Sequence, residues 1–429
     1  MSFNEWKAYR LGDIVLSANT GLDAIKRAPI VQENTGIKCL RIQDISQNKS
    51  FSNWGFCAVN ETNFQKFQLK KDDLIIARTG ETVGVNRIIK ENLNAVFNNG
   101  LIRIRVNEDK FIPKFVYYSF QSNIFRNHII AIAHGTSTQP NMRIEALLDY
   151  NIEIPNKETQ TRISSILSRI DDAIEVNQQT NQTLEEIAKT LFKEWFVNFN
   201  YPNATDEMQS TEMGDVPVGW KEENIGDWFD FVIGGDWGKD NEESTFSNYC
   251  TVIRGTDIPS ILNSNLKSIP KRFVQESKLK NRRLRDGDIV FEISGGSKDQ
   301  ATGRNILITK EILDLFDTEV IPASFCRLIR TKNIKTGYFL GIYLNYFYSG
   351  GGTWHYQLQS TGISNFQFQV FTSDHKIVAP PDELINSFFE LVQPIIKQIG
   401  ENISENQTLF ALRDTLLPKL MKGEIEING

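Results

Sequence analysis

The sequence has no unbroken run of about 18 apolar residues, so no membrane-spanning helix is expected. Its first ten residues, Met1 to Arg10, lack the apolar stretch of a secretory signal. Cysteine is scarce. Cys39, Cys57, Cys250 and Cys326 are scattered, without the close spacings that hold zinc, and a reduced, cytoplasmic protein is expected. The few histidines are dispersed and none has a ligand partner four residues on, so no metal site is expected. A phosphate-binding glycine loop is missing; Gly295-Gly296-Ser297-Lys298 resembles the end of one but has no glycine at the right distance upstream. No Asn-Pro-Pro-aromatic or Asp-Pro-Pro-aromatic signature of amino-group methylation occurs. No catalytic residue is therefore assigned. An excess of positive charge is lacking too. The net charge of −6 argues against a protein whose whole surface grips nucleic acid, and leaves local patches open.

What is present is an ordinary folded composition, 40% hydrophobic and 23% charged, in 429 residues. That length holds about two or three domains. The strongest pattern lies in 158–199. Ile163, Leu167, Ile170, Ile174, Asn177, Asn181, Leu184, Ala188, Leu191 and Trp195 are spaced alternately by four and three. This is a heptad seam on one long helix. Moving 225 residues on, the seam returns as Phe388, Val392, Ile395, Ile399, Asn402, Asn406, Leu409, Arg413, Leu416 and Leu420. Both asparagines recur, and Asn181-Gln182-Thr183-Leu184 recurs as Asn406-Gln407-Thr408-Leu409; Arg413 replaces Ala188.

A helix carried twice calls for a larger repeat, and one is there. Trp6-Lys7 and Gly12-Asp13 match Trp220-Lys221 and Gly226-Asp227. Leu40-Arg41 with Asp44-Ile45 matches Ile253-Arg254 with Asp257-Ile258. Leu69, Asp73 and Gly80 match Leu284, Asp288 and Gly295; Arg103, Phe115 and Pro155 match Arg327, Phe339 and Pro380. The offset grows in steps that fall in loops, so one scaffold presents two different surfaces. Within the first copy, Leu74–Ala77 reads as an apolar strand after an acidic turn. Leu101–Val106 reads as a half-buried strand with Arg103 and Arg105 on its wet face, and Phe115–Ile132 as one amphipathic helix.

The boundaries follow: a mixed α/β region at 1–155, a helical spacer at 156–200, a polar linker at 201–219, a second α/β region at 220–380, and a second helical spacer with the tail at 381–429. The fold class is α+β, two tandem α/β regions joined by two long antiparallel coiled-coil helices with a pseudo-twofold internal repeat. Each helix would span on the order of 60 Å. Antiparallel pairing sets Asn177 against Asn406 and Asn181 against Asn402, where buried asparagines fix register. Pro418 is expected to kink or stop the second helix. The tail Gly423–Ile427 reads as a short strand returning toward the N-terminus.

These signals, taken in order, resemble the DNA specificity subunit of type I restriction–modification systems. They are Trp6-Lys7 with Leu11-Gly12-Asp13, Trp220-Lys221 with Ile225-Gly226-Asp227, and Asp72-Asp73-Leu74-Ile75 with Gly287-Asp288-Ile289-Val290. To these add Gly135-Thr136-Ser137-Thr138-Gln139, the prolines Pro155 and Pro380-Pro381 before the helices, Leu416-Leu417-Pro418-Lys419-Leu420, and Lys422-Gly423-Glu424-Ile425. The family's Pro-Pro-x-x-x-Glu-Gln before the helix is matched only in part, since the second copy has no glutamine there. The resemblance covers essentially the whole chain. It implies that 1–155 and 220–380 are target recognition domains binding a bipartite, asymmetric site on double-stranded DNA. It implies a non-catalytic scaffold for two methyltransferase (modification) subunits and for restriction (motor-nuclease) subunits. S-adenosylmethionine, ATP and Mg would be bound by those partners and none by this chain. Two other readings stay open: a coiled-coil adaptor whose heads bind protein, and the specificity module of a methyltransferase with no motor.

For DNA, affinity comes from Lys and Arg on phosphates and specificity from side chains at base edges. Leu266–Arg285 carries Lys267, Lys271, Arg272, Lys278, Lys280, Arg282, Arg283 and Arg285 against Glu276 alone, a candidate phosphate patch or an ordinary solvated face. Base-reading candidates are Arg78, Thr79, Glu81 and Thr82 in the first copy, and Ser297, Lys298, Asp299 and Gln300 in the second. Second candidates are Thr136, Ser137, Thr138, Gln139 and Asn141; Gln359, Ser360 and Thr361; and Lys26 with Arg27. Turns capped by small polar residues are the plain alternative for any one of them.

Overall fold

In a computed structural model of the chain, the described residues are 6–425 apart from 24, 48, 134–139, 297–299 and 360–363. They form two compact units, Met1–Asp172 with Phe410–Gly429, and Ala173–Leu409. No helix among them is long and apolar enough to cross a membrane.

The first unit is built on a four-stranded antiparallel sheet in the order Val15–Thr20, Leu101–Val106, Leu74–Ala77, Asn86–Ile88. The second unit repeats it as Phe229–Gly234, Cys326–Thr331, Ile289–Glu292, Asn305–Leu307. Even the irregularity recurs: the register shifts between Val15 and Ser17 and between Phe229 and Phe231. Each unit has a further sheet with one parallel pair, Lys38–Leu40 beside Ala95–Phe97 and Asn248–Ile253 beside Val320–Pro322. Each also ties the strand that opens the repeat to the one that closes it, Lys7 opposite Ile154 and Lys221 opposite Ala379.

The turn that opens the central strand shows why the recurrent residues are needed. Asp73 is buried, accepts from the Lys70 amide at 2.9 Å, and is held by Arg105 Nε at 2.6 Å. Asp288 does the same with the Arg285 amide at 2.7 Å and Arg330 Nε at 2.7 Å. The preceding position is left-handed in both, Asp72 at φ 67° and Gly287 at φ 87°, a conformation that favours glycine and that Asp tolerates. A buried carboxylate stripped of its arginine costs about 3–5 kcal/mol, which explains why acid and base recur together.

Several expectations are corrected. Arg103 is buried, not wet: its guanidinium donates to Gln68 O and Lys66 O and lies over the Phe97 ring at 5.0 Å. The residues after Pro113 form two helices, Pro113–Phe120 and Asn123–Ala133, so Phe125 stacks on Phe120 at 4.2 Å. Lys38–Leu40 is a short strand, and Ile42–Ser46 after it is helical under an Arg41–Asp44 capping pair. Cys39 and Cys57 meet on neighbouring strands as free, buried thiols, and the hydrogen bond that Cys39 donates to Cys57, together with burial, pushes the Cys39 thiol well above its usual range. The stretch 201–219 carries a hairpin, Met208–Thr211 with Gly214–Pro217, whose Val216 lies in the second unit's core.

The long helices are Lys157–Phe196 and Asp382–Met421. The second passes through Pro394 and through Pro418, where a stop or kink is expected; both rings sit on exposed positions, and Pro418 lies within a turn of the helix end. Glu424 and Ile425 are not strand, and the remainder of that expected strand lies outside the described residues. Gly423 does return to the N-terminal segment, where it abuts Trp6.

Seam positions are buried or half-buried throughout. In the first unit Ile163, Leu167 and Leu420 join the core, and Arg413 bonds Asp171 at 3.0 Å, itself bonded by Tyr118 Oη at 2.8 Å. In the second unit Phe192, Trp195 and Phe196 pack with Phe339, Phe388 and Trp220. There the helices run antiparallel. Asn177 Nδ2 donates to Asn406 Oδ1 at 3.1 Å, and Asn402 Nδ2 donates to Asn181 Oδ1 at 2.7 Å. Asn181 Nδ2 bonds Ile399 O at 3.2 Å, and Asn177 Nδ2 also reaches Glu405.

Asn181→Leu removes the acceptor of the buried Asn402 amide and should destabilise the chain by about 1–3 kcal/mol. Converting both residues to leucine should recover that loss or more, because polar seam residues give register at a cost in stability. Urea denaturation of the wild type, both single variants and the double variant tests this. A double variant less stable than Asn181→Leu alone would contradict it.

Candidate nucleic-acid interface

In each unit the ends of three strands of the main sheet bring polar loops to one edge. In the first, Thr20 ends one strand, Leu101 begins the next opposite Ala77, and Ala77 leads into the loop 78–84. The Arg78 amide donates to Gly100 O at 2.9 Å, and Gly80 and Gly84 take φ of 80° and 90° to turn the chain. The two candidate loops of this unit meet. Thr79 bridges Asn141, the Met142 amide donates to Arg78 O at 2.8 Å, and the Gly80 amide donates to Pro140 O at 3.1 Å. Arg78 Nη2 reaches Asn141 Oδ1 at 3.1 Å. Glu81 is exposed and Thr82 half-buried. Thr136, Ser137, Thr138 and Gln139 lie outside the described residues.

Lys26 and Arg27 are exposed on a turn nearby in the chain path. Asp23 Oδ1 accepts from the amides of Ile25 and Lys26 at 2.9 and 3.0 Å. Those amides, Lys26 first, hold the Asp23 carboxyl below its ordinary range. The turn connects to the same edge, since Leu22 N donates to Phe97 O and Asn99 N to Leu22 O.

The second unit repeats the plan with more structure. Ile293 N donates to Phe325 O at 2.9 Å, matching Arg78 and Gly100. Ser294–Gly296 then pairs with Ser364–Phe366, which forms a hairpin with Gln357–Gln359. The loops 294–303 and 359–365 are thus brought together, as their counterparts are. Gln357 Oε1 accepts from Thr302 N at 2.8 Å and Thr302 Oγ1 at 3.1 Å. Gln300 is exposed. Ser297, Lys298, Asp299, Ser360 and Thr361 lie outside the described residues, and of Gln359 only the backbone pairing with Ser364 is described.

The basic segment is less free than its composition implies. Lys271 pairs with Asp317, Arg272 with Asp240, Lys278 with Asp236 and Arg283 with Glu319. Arg272 also lies over the Trp237 ring at 4.3 Å, and Arg282 Nε bonds Gly234 O at 2.8 Å. The acids come from elsewhere in the unit, so a window over 266–285 does not see them. Lys280 and Arg285 are exposed and have no ion pair among the described residues. Exposed pairs of this kind are weak, of order 0–1 kcal/mol, and exchange readily for phosphate.

Composition gave no sign of several residues at this edge. Phe325 stands 65% exposed on the turn bonded to Ile293, where the first unit has Gly100, and Trp354 and Leu358 are exposed beside the hairpin. An apolar residue carries no periodic signal of exposure in so short a turn. The described histidines do not form a site. His375 is interior: its ring nitrogens meet Tyr343 Oη at 2.5 Å and Tyr356 Oη at 3.1 Å, and burial pulls its pKa down to about 4. No group of three or more His, Cys, Asp or Glu that could hold a metal occurs among the described residues.

A frame built twice, with polar loops of unlike length gathered at the corresponding sheet edge, has the architecture of a recognition subunit. Residues 4–186 match the family described as type I restriction modification DNA specificity domain. The chain is 26% identical to the MjaIX specificity subunit of Methanocaldococcus jannaschii over 82% of this chain and 78% of that protein. It is 25% identical to the HindI specificity subunit of Haemophilus influenzae over 98% and 100%. The fold is shared with the crystal structure of a type I system S subunit from M. genitalium, at TM-score 0.55 and 16% identity over 100% and 98% of the two chains. Residues 4–186 thus carry a type I restriction modification DNA specificity domain, and over most of its length the chain is similar to specificity subunits of type I restriction enzymes.

Lys280→Ala should weaken duplex binding by the assembled complex about equally across sequences. It should also reduce the slope of log affinity against log salt by about one. Filter binding at a series of salt concentrations measures it. An unchanged slope would remove Lys280 from the phosphate contacts.

Proposed function

We propose that this chain recognises a bipartite, asymmetric sequence on double-stranded DNA, one half through each copy of the α/β frame. The loops 78–84 and 136–141 read one half, and the loops 294–303 and 359–365 read the other. Their Arg, Lys, Gln and Asn side chains suit guanine and adenine edges in the major groove. The paired helices scaffold two modification subunits and the restriction subunits, and their length sets the number of unread base pairs between the halves. S-adenosylmethionine, ATP and Mg belong to those partners. The observation that carries this reading is the recurrence of one frame, down to its buried Asp–Arg pairs, with loops that differ in length and chemistry at corresponding strand ends. A protein-binding adaptor has no need of that combination.

Replacing 294–303 by the loop of another such chain should change one half of the methylated sequence and leave the other half and the spacer alone. Methylation mapping of a host genome with and without the chain reads this directly, and a change in both halves refutes the division of labour. Inserting a heptad into each long helix, in register, should lengthen the spacer. Mapped sites with an unaltered spacer would end the idea that the helices act as a ruler. Co-purification of an ATP-dependent motor separates this reading from a methyltransferase without one.

A further inference from the structure

The loop between Ile289–Glu292 and Asn305–Leu307 starts and ends on a charge pair. Glu292 is 1% exposed and Arg304 8%. Arg304 Nε donates to Glu292 Oε2 at 2.9 Å and Nη2 donates to Oε1 at 2.5 Å, a two-pronged contact. Below it the backbone closes as well, with Glu292 N donating to Arg304 O at 2.8 Å. Two glycines clear the space for the carboxylate: a Cβ on Gly255 would overlap Glu292 Oε1, and one on Gly295, at φ 135°, would come within 2.8 Å of it.

The first unit closes the same sheet position without charge. There the Ala77 amide donates to Val85 O at 2.8 Å, and the following Asn86 and Asn305 make the same side-chain bond, to Gly84 O and Gly303 O. Strand pairing therefore needs neither an acid nor an arginine at these positions. Burying two charges is expensive, and such a pair adds little to stability over a well-packed apolar one. What it does supply is direction, because a carboxylate and a guanidinium meet in one plane and at one distance. The second loop is also the longer, and its described arms are tied sideways through Ser294, Gly296 and Thr302.

We propose that Glu292 and Arg304 are positioning residues for sequence recognition. They fix where Ile293–Gly296 and Gln300–Gly303 leave the sheet, and so fix the aim of the second reader at the bases. The proposal rests on the reading of 294–303 as a DNA-facing loop.

The test uses the assembled methyltransferase complex in a host and maps methylated sites. The variant E292A/R304V copies the first unit's Ala77 and Val85, so no charge is left buried. It should raise methylation at sites altered by one base in a single half by about tenfold relative to the cognate site. The other half and the spacer should be unaffected. A matched core variant, Ile261→Ala, chosen for equal loss of Tm, should lower methylation at all sites without changing the sequence read. Cognate-only methylation by E292A/R304V, or relaxation in both halves, overturns the proposal. If replacing 294–303 itself leaves the recognised sequence unaltered, the DNA-facing reading has failed. If that replacement alters it while E292A/R304V does not, only the positioning role has failed.

Discussion

The amide bonds between Asn181 and Asn402 and between Asn177 and Asn406 lie in a seam whose other members are largely Ile, Leu, Val and Phe. An amide moved from this arrangement into the apolar part of the seam loses its partner at about 1–3 kcal/mol each. Sliding one helix by a heptad would do that to all of them. The bonds therefore contribute less to total stability than to the choice of one register. That choice propagates, because each unit takes part of its core from both helices. Ile163, Leu167 and Leu420 complete the first unit; Phe192, Trp195 and Phe388 complete the second. A slipped seam would draw Phe388 away from Phe192 and Leu420 away from Leu167. The asymmetry at Arg413, where the first copy has Ala188, adds a further constraint, since only one register sets Arg413 against Asp171, which Tyr118 also bonds.

Around that seam each unit is held by the same few polar devices. Asp73 with Arg105 and Asp288 with Arg330 lock the turn before the central strand to its neighbour. Arg41 with Asp44 and Arg254 with Asp257 cap the short helical turn after Lys38–Leu40 and after Asn248–Ile253. These pairs bridge elements far apart in the chain or start helices that have little propensity of their own. They recur because removal of the arginine leaves a buried carboxylate unpaired, which is the costly outcome.

Much of this was legible in the sequence, and the limits have physical causes. A 3–4 spacing over ten positions has few alternatives to a packed helix, and its recurrence with both asparagines fixed the antiparallel pairing of Asn177 with Asn406. Arg103 was misread because alternation distinguishes two faces of a strand without saying that both are covered; the wet face carries Gln68 and Phe97 over it. Pro394 and Pro418 left the helix unbroken because tertiary packing of the seam outweighs the loss of one backbone bond on an exposed face. The hairpin within 208–217 was hidden by polar residues that bond one another, Ser210 with Asp215 and Thr211 with Gly214. The basic segment looked free because Asp236, Asp240, Asp317 and Glu319 lie outside it in sequence and beside it in the fold.

The two units then differ in how their loops are anchored, and the difference is one of solvent. In the first unit the loops are joined from outside, by Arg78 on Asn141, through a bond that water and phosphate can both compete for. In the second the two ends of the longer loop are also joined from inside, by Glu292 on Arg304, through a bond from which water is excluded. A surface link of the first kind is soft: it yields to a ligand at a cost of a fraction of a kcal/mol, so Arg78 is available to bind as well as to hold. A buried pair of the second kind is stiff and cannot itself touch a ligand, so it holds the loop and does nothing else. One frame thus supports two ways of presenting a polar loop. Where the loop meets the sheet the sequence marks the difference, with Ala77 against Glu292 and Val85 against Arg304.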